Sequence, residues 1–262
     1  MNTRNAVRNL TPQQITDLRY AYRNMMQIRD TRGYRFHAGH HGLPRFRCIH
    51  GERSQGGDPN VRLFLPWHRA YVYNFELAVQ DAGENSELSV PWWDWTSDKS
   101  RREGIPTTFS EERLPDGDRN PLNSFRIIST ENETPFPLEE DTVRDPGSPG
   151  SLPLPSTVEN LLNLNDYGDF SDQLEQVHNF IHVWVGGHMA QVPFAAFDPV
   201  FWSHHSMVDR IWWLWQLRHG NSGMPEHTLD MVLAPFNLRV RDVLNIYQLG
   251  YDYAGIEVSV PF

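Results

Sequence analysis

His178 and His182 stand four residues apart within Phe170–Val185, a stretch whose apolar residues recur at helical spacing. On a helix, side chains at i and i+4 leave one face, so the two imidazoles can converge on a single ion. Pairs of this kind also occur on solvated faces and in satisfied cores, and spacing alone does not separate these cases. Downstream, Asp198-Pro199-Val200-Phe201-Trp202-Ser203-His204-His205 leads into Ser206-Met207-Val208-Asp209-Arg210. This run puts a histidine at the start of another predicted helix, behind a proline turn, where it can serve as a third ligand. The N-terminal half holds a second set: His37, His40, His41, His50 and His68. An all-imidazole donor set without paired thiolates or a carboxylate cluster suits Cu, Zn, Ni or Fe and disfavours Mg and Ca, which take oxygen ligands.

The elements that must position these residues are mostly helices. Thr11-Pro12-Gln13-Gln14 combines an N-cap threonine, proline at the first helical position and glutamine three residues after the cap; Ile15, Leu18, Tyr22 and Met25 then recur at helical spacing to about Arg29. From Thr31 to Arg62 the chain is rich in Gly, Pro and His without periodicity, which predicts an ordered loop held by something other than secondary structure, such as a metal. Pro66-Trp67-His68 opens a second helix with a stripe of His68, Tyr71, Phe75 and Val79, ended by Gly83. Residues 97–155 carry nine of the nineteen prolines and read as a long irregular excursion over the surface. Helical periodicity returns at 170–185, closed by Gly186-Gly187, at 204–218, closed by His219-Gly220, and briefly at 240–249. The expected architecture is mainly α, a single domain over residues 1–262 with long constrained loops and few short strands.

The 262 residues, 39% of them hydrophobic, are enough for a sizeable core and exclude disordered, collagen-like and coiled-coil classes. A single cysteine, Cys48, cannot close an intramolecular disulfide. The net charge of −10 repels phosphate backbones and no basic run offsets it, arguing against nucleic acid and anionic membranes and for small uncharged partners. No apolar stretch follows Met1–Leu10, so no signal peptide is expected, and no run approaches the ~18 residues of a membrane helix. Histidine, at 12 residues, and tryptophan, at 9, are the enriched types. The tryptophans of Trp92-Trp93-Asp94-Trp95 and Trp212-Trp213-Leu214-Trp215 are expected in the core around the ligand helices.

Six ordered stretches then carry a specific resemblance: His41-Gly42-Leu43-Pro44; Cys48-Ile49-His50-Gly51; Leu63-Phe64-Leu65-Pro66-Trp67-His68-Arg69-Ala70-Tyr71; Pro91-Trp92-Trp93-Asp94-Trp95-Thr96; His178-Asn179-Phe180-Ile181-His182-Val183-Trp184-Val185-Gly186-Gly187; and Asp198-Pro199 through Asp209-Arg210. Together with Tyr251-Asp252-Tyr253 they resemble the tyrosinase family, whose tyrosinases, catechol oxidases and molluscan hemocyanin domains bind a type 3 dicopper centre. The resemblance implies a four-helix-bundle core with His41, His50 and His68 on the first copper and His178, His182 and His205 on the second. His204 would pack beside His205, while His40 and His37 lie close enough to His41 to substitute for it. It further implies a thioether between Cys48 and His50, against the plainer role of Cys48 as a small buried hydrophobe. Glu175 and Asn179 would orient a water that deprotonates phenol, and Val183, Met189 and Val192 would line the substrate entrance.

Residues Glu52–Arg62 resemble an insertion beside the site, and His188, His219 and His227, which match no family role, are expected at the surface or at helix caps. The activity implied is copper-dependent oxidation of phenols by O2, hydroxylating monophenols and converting o-diphenols to o-quinones. Its alternatives are a catechol or o-aminophenol oxidase and a hemocyanin-like carrier, the latter disfavoured by the absence of tandem copies. A small phenolic substrate and a copper-delivery or export helper protein are the implied partners, with location open between the cytoplasm and helper-assisted export. Only nine residues follow Tyr253, so no C-terminal lid domain is expected.

Overall fold

The computed structural model describes residues 1–50, 61–130, 138–221 and 223–255. Helix α1, Pro12–Gln27, begins at Thr11 with the expected capping box: Gln14 donates its backbone N–H to Thr11 Oγ1, and Thr11 donates its own to the Gln14 side chain. Leu18, Ala21, Tyr22 and Met25 are its buried stripe, laid along α3, Phe64–Gly83. That second long helix starts two residues before Pro66, and its left-handed cap is Glu84, not Gly83. Gly83 has a different reason to be glycine: a Cβ there would sit 2.5 Å from Leu88 and 2.9 Å from Ala21, so it lets α1 and α3 close on each other.

Between them the expected loop contains a helix, α2, Tyr34–His41. Its sequence, YRFHAGHH, has no amphipathic pattern to announce it, because six of its eight residues are buried, the three histidines among them. The excursion at 97–155 is also more structured than expected. It holds α4, Asp98–Glu103, the single-turn helix α5, Thr107–Ser110, and an antiparallel pair of β2, Arg126–Ile128, with β3, Glu139–Asp141. Phe109, Leu122, Phe125 and Ile127 drive it into the core. After α6, Pro155–Leu162, come α7, Tyr167–Val185, and α8, Val200–His219. The helix expected at 240–249 is a 3-10 turn, Val240–Val243, continued by turns.

Helices α3, α7 and α8 pack on one another, making a mainly helical core in which all nine tryptophans are buried. A parallel pair joins β1, Asn2–Arg4, to β4, Tyr251–Tyr253. It delivers Arg4 to a buried charge cluster with Glu76 at 2.8 Å and Asp209 at 3.1 Å. Asp209 also accepts from Arg69, from Tyr251 Oη at 2.7 Å and from Tyr253 Oη at 2.5 Å, while Arg69 donates on to Gln216 and to the Val243 carbonyl. Every charge is thus paired, the condition under which ions tolerate an interior. Arg69 follows His68 and Asp209 lies one turn past His205, so the cluster sets how α3 and α8 are registered beside the candidate site.

Candidate metal centre

Two triplets of imidazoles face each other inside the bundle. In the first, the donor atoms of His41, His50 and His68 lie within 4.8 Å of one another. His41 ends α2, His68 sits in the second turn of α3, and His50 comes from the irregular segment after α2. In the second, the Nε2 atoms of His178, His182 and His205 are 2.9, 3.2 and 3.3 Å apart. Three nitrogens each ~2 Å from one ion must be separated by about such distances. The His41 and His50 Nε2 atoms meet likewise at 3.2 Å, and His68 Nε2 is buried without a hydrogen-bond partner among the described residues.

The triplets touch: the rings of His68 and His205 stack at 4.6 Å between centroids, and those of His50 and His178 at 5.6 Å. Burial above all, and then the crowding of neighbouring imidazoles, lowers the basicity of His41, His68, His178 and His205 well below the usual 6.5; burial lowers that of His182 to about 4. The rings therefore stay neutral and keep a lone pair for a cation. Four of the six also have their Nδ1 engaged, which aims Nε2 at the centre: His41 toward the Val192 carbonyl at 3.1 Å, His68 toward that of Phe64 at 2.8 Å, His182 toward that of Met189 at 2.8 Å, and His50 toward the Glu175 carboxylate at 3.5 Å. All-nitrogen triplets, buried except for the half-buried His50, with aimed lone pairs fit a pair of late transition-metal ions.

The structure keeps His37 and His40 out of this arrangement. Both are on α2 and buried, but they turn toward Phe36, Phe75 and Phe236. His204 comes within 4.8 Å of the second triplet's donors and lies parallel against His178, 5.2 Å between centroids. A cavity of about 290 Å³ opens above the triplets, lined by Glu175, Asn179, Val183, Met189 and Val192 together with four of the histidines. Val183 and Val192 stand exposed at its rim, whereas Met189 is fully buried in its wall. Glu175, buried, and Asn179, exposed one turn later, look into it from α7. Cys48, half-buried, packs against the core two residues before His50. The insertion at 52–62 falls mostly outside the described residues.

His188 departs from expectation: it is buried, at 4% exposure, and bonded through both ring nitrogens. The signal available in sequence was the preceding Gly186-Gly187, which marks close approach of another backbone. His219 does sit in the last turn of α8, 2.9 Å from the Leu162 carbonyl, and His227 is exposed.

Fold and site together define a helical protein built around paired histidine triplets. The common central domain of tyrosinase matches residues 19–218, and the chain belongs to the tyrosinase family of type 3 copper proteins. Among its relatives, the A-type hemocyanin of Enteroctopus dofleini (units Ode to Odg) is 33% identical over 258 residues, covering 88% of this chain and 20% of that protein. The chain thus spans a fifth of that relative's length. A functional unit from octopus hemocyanin superposes with a TM-score of 0.76 at 28% identity, over 97% of this chain and 68% of the other. The tyrosinase of Burkholderia thailandensis shares the fold, with a TM-score of 0.82 at 21% identity over 100% and 76% of the two chains.

Proposed function

We propose that the chain is a copper-dependent oxidoreductase that uses O2 to hydroxylate monophenols ortho to the hydroxyl and to oxidise o-diphenols to o-quinones. The observation that carries this reading is the open cavity of about 290 Å³ directly over the triplets, near the lower limit for ligand pockets and suited to a single-ring substrate. His41, His50 and His68 would hold one copper ion and His178, His182 and His205 the other. When bound, the copper pair supplies the redox chemistry with O2. The protein's own residues bind, orient and deprotonate. A phenol ring passes Val183 and Val192, whose apolar surfaces shed its water and whose small size leaves the route clear. Asn179 and Glu175, one helical turn apart, hold a water that takes the phenolic proton and passes it to the Glu175 carboxylate. Glu175 also faces His50 Nδ1, so the same carboxylate steadies a ligand. A thioether from Cys48 to His50 would fix that ring in an otherwise irregular segment.

A second reading, a reversible O2 carrier, draws on the 33% identity to octopus hemocyanin. Oxygen uptake and product analysis after copper loading decide between them, with tyrosine, tyramine, simple phenols, catechols and o-aminophenol as substrates. Catalytic o-quinone formation from both monophenols and catechols is the expected result. Turnover of catechol or o-aminophenol alone would reassign the protein to an oxidase, and reversible O2 binding without product to a carrier.

A further inference from the structure

The turn that links the two helices of the second triplet is held from outside by a segment of the 97–155 region. Gly186 and Gly187, at φ +69° and +54°, let residues 143–147 lie directly on their backbone: a Cβ would stand 2.3 Å from the Asp145 carbonyl oxygen at the first glycine and 2.1 Å from that of Val143 at the second. Asp145 N–H donates to the Val185 carbonyl at 3.0 Å and Gly147 N–H to that of Trp184 at 2.8 Å, so this strap runs along the end of α7. Its last tie is His188. The His188 N–H donates to the Val143 carbonyl at 3.0 Å, and Val143 N–H donates back to His188 Nδ1 at 3.0 Å. Because Nδ1 accepts, the proton of the neutral ring is on Nε2, which donates to Glu140 at 2.8 Å. All the hydrogen-bonding capacity of the ring is used, which fixes its place and its tautomer. One residue further, the carbonyl of the buried Met189 accepts the Nδ1–H of His182 at 2.8 Å.

We infer that His188 is a positioning residue for the second metal triplet: by clamping the 187–190 turn to Val143 and Glu140, it fixes the Met189 carbonyl that aims His182. Neither bond of the His188 ring goes to a metal ligand, and its effect is transmitted through one carbonyl. A hydrocarbon at this position would leave the Val143 N–H without its acceptor and free the turn. The Nδ1–H of His182 would then lose a fixed partner, and outer partners of metal-bound histidines are worth ~10–100-fold in metal affinity. An asparagine would restore the acceptor facing Val143.

The inference rests on the copper reading for one of its two tests and is independent of it for the other. In the metal-free protein labelled with 15N-histidine, the His182 Nδ1–H, assigned by its absence in His182→Asn, is expected to exchange with solvent markedly faster in His188→Leu than in wild type. In His188→Asn it should exchange at nearly the wild-type rate. On titration with copper against a chelator, His188→Leu should bind the second ion about 10–100-fold more weakly, with the first ion unchanged. Glu140→Ala, which removes only the exposed partner, provides a milder variant should the leucine protein fail to fold, with faster exchange than wild type again expected. Unchanged exchange of the His182 proton in His188→Leu or, if that variant is unfolded, in Glu140→Ala, would overturn the inference. Failure of wild type to bind two copper ions while exchange responds as expected would overturn the copper reading alone.

Discussion

Replacing Asp209 by asparagine tests whether the buried charge cluster holds α3 and α8 together. The substitution keeps the shape of the side chain and removes one negative charge from a site where Arg4, Arg69 and Glu76 remain, so a neutral cluster becomes a singly positive one. Asp209 accepts from both guanidiniums and from the hydroxyls of Tyr251 and Tyr253, and none of these groups has water to turn to. Removing one partner of a buried ion pair costs about 3–5 kcal/mol. At the ~2–4 °C per kcal/mol typical of chains near this size, the midpoint of thermal unfolding should fall by roughly 6–20 °C. Acid should shrink the difference. Burial pushes the Asp209 carboxyl up from its ordinary 3.8, but the charges of Arg69 and Arg4 and the hydrogen bonds from Tyr253 and Arg69 outweigh it, and the folded value is lowered. The unfolded chain therefore takes up this proton first, and wild type loses the contribution as pH drops below about 3.8 toward the folded value. The asparagine variant has no such contribution to lose. Urea unfolding followed by tryptophan fluorescence at pH 7 and in a descending pH series measures both effects. A loss below ~1 kcal/mol at neutral pH, where surface pairs fall, would refute the argument that this cluster is dry and mutually dependent.

Copper-loaded protein should show two ions per chain and develop intense near-ultraviolet absorption on adding hydrogen peroxide; His68→Ala and His182→Ala should each abolish it, whereas His219→Ala should leave it intact. Retained absorption in either ligand variant would place the centre elsewhere. Asn179→Ala or Glu175→Gln should lower monophenol turnover more than ~10-fold while catechol turnover falls much less, since a catechol is the more acidic and the more easily oxidised; equal losses on both substrates would leave these residues a ligand-supporting role only. Intact-mass measurement after copper loading and aerobic turnover should find the chain lighter by two hydrogen atoms, a change absent in Cys48→Ala. An unmodified thiol in fully active protein would count against the thioether.

What was legible in the sequence follows from how local its cause is. The start of α1 depends on four adjacent residues, and the pair His178 and His182 depends on one helical turn, so both could be read directly. The same holds for His205 behind its proline turn. Helix α2 could not, because YRFHAGHH has no polar face to contrast with an apolar one, and its helicity depends on being surrounded. The 97–155 region misled for the opposite reason: its prolines and polar residues describe the backbone's irregularity, while Phe109, Leu122, Phe125 and Ile127, spaced by no regular period, carry it inward. His188 and Asp209 depend on partners 45 and 140 residues away in sequence, Val143 and Arg69, and nothing in their own neighbourhoods names those partners.

The pairing of β1 with β4 has a consequence for the order in which the molecule can be made. Arg4 leaves the ribosome well before Tyr253, whose hydroxyl it bonds and which lies 249 residues later. At ~5–20 residues per second, about 12–50 s separate their synthesis. Tyr253 is unavailable throughout that interval and Asp209 for most of it, so a guanidinium destined for a dry site must stay in water. Helices can form as the nascent chain emerges, but the charge cluster that ties α3 to α8 is complete only after β4 has followed.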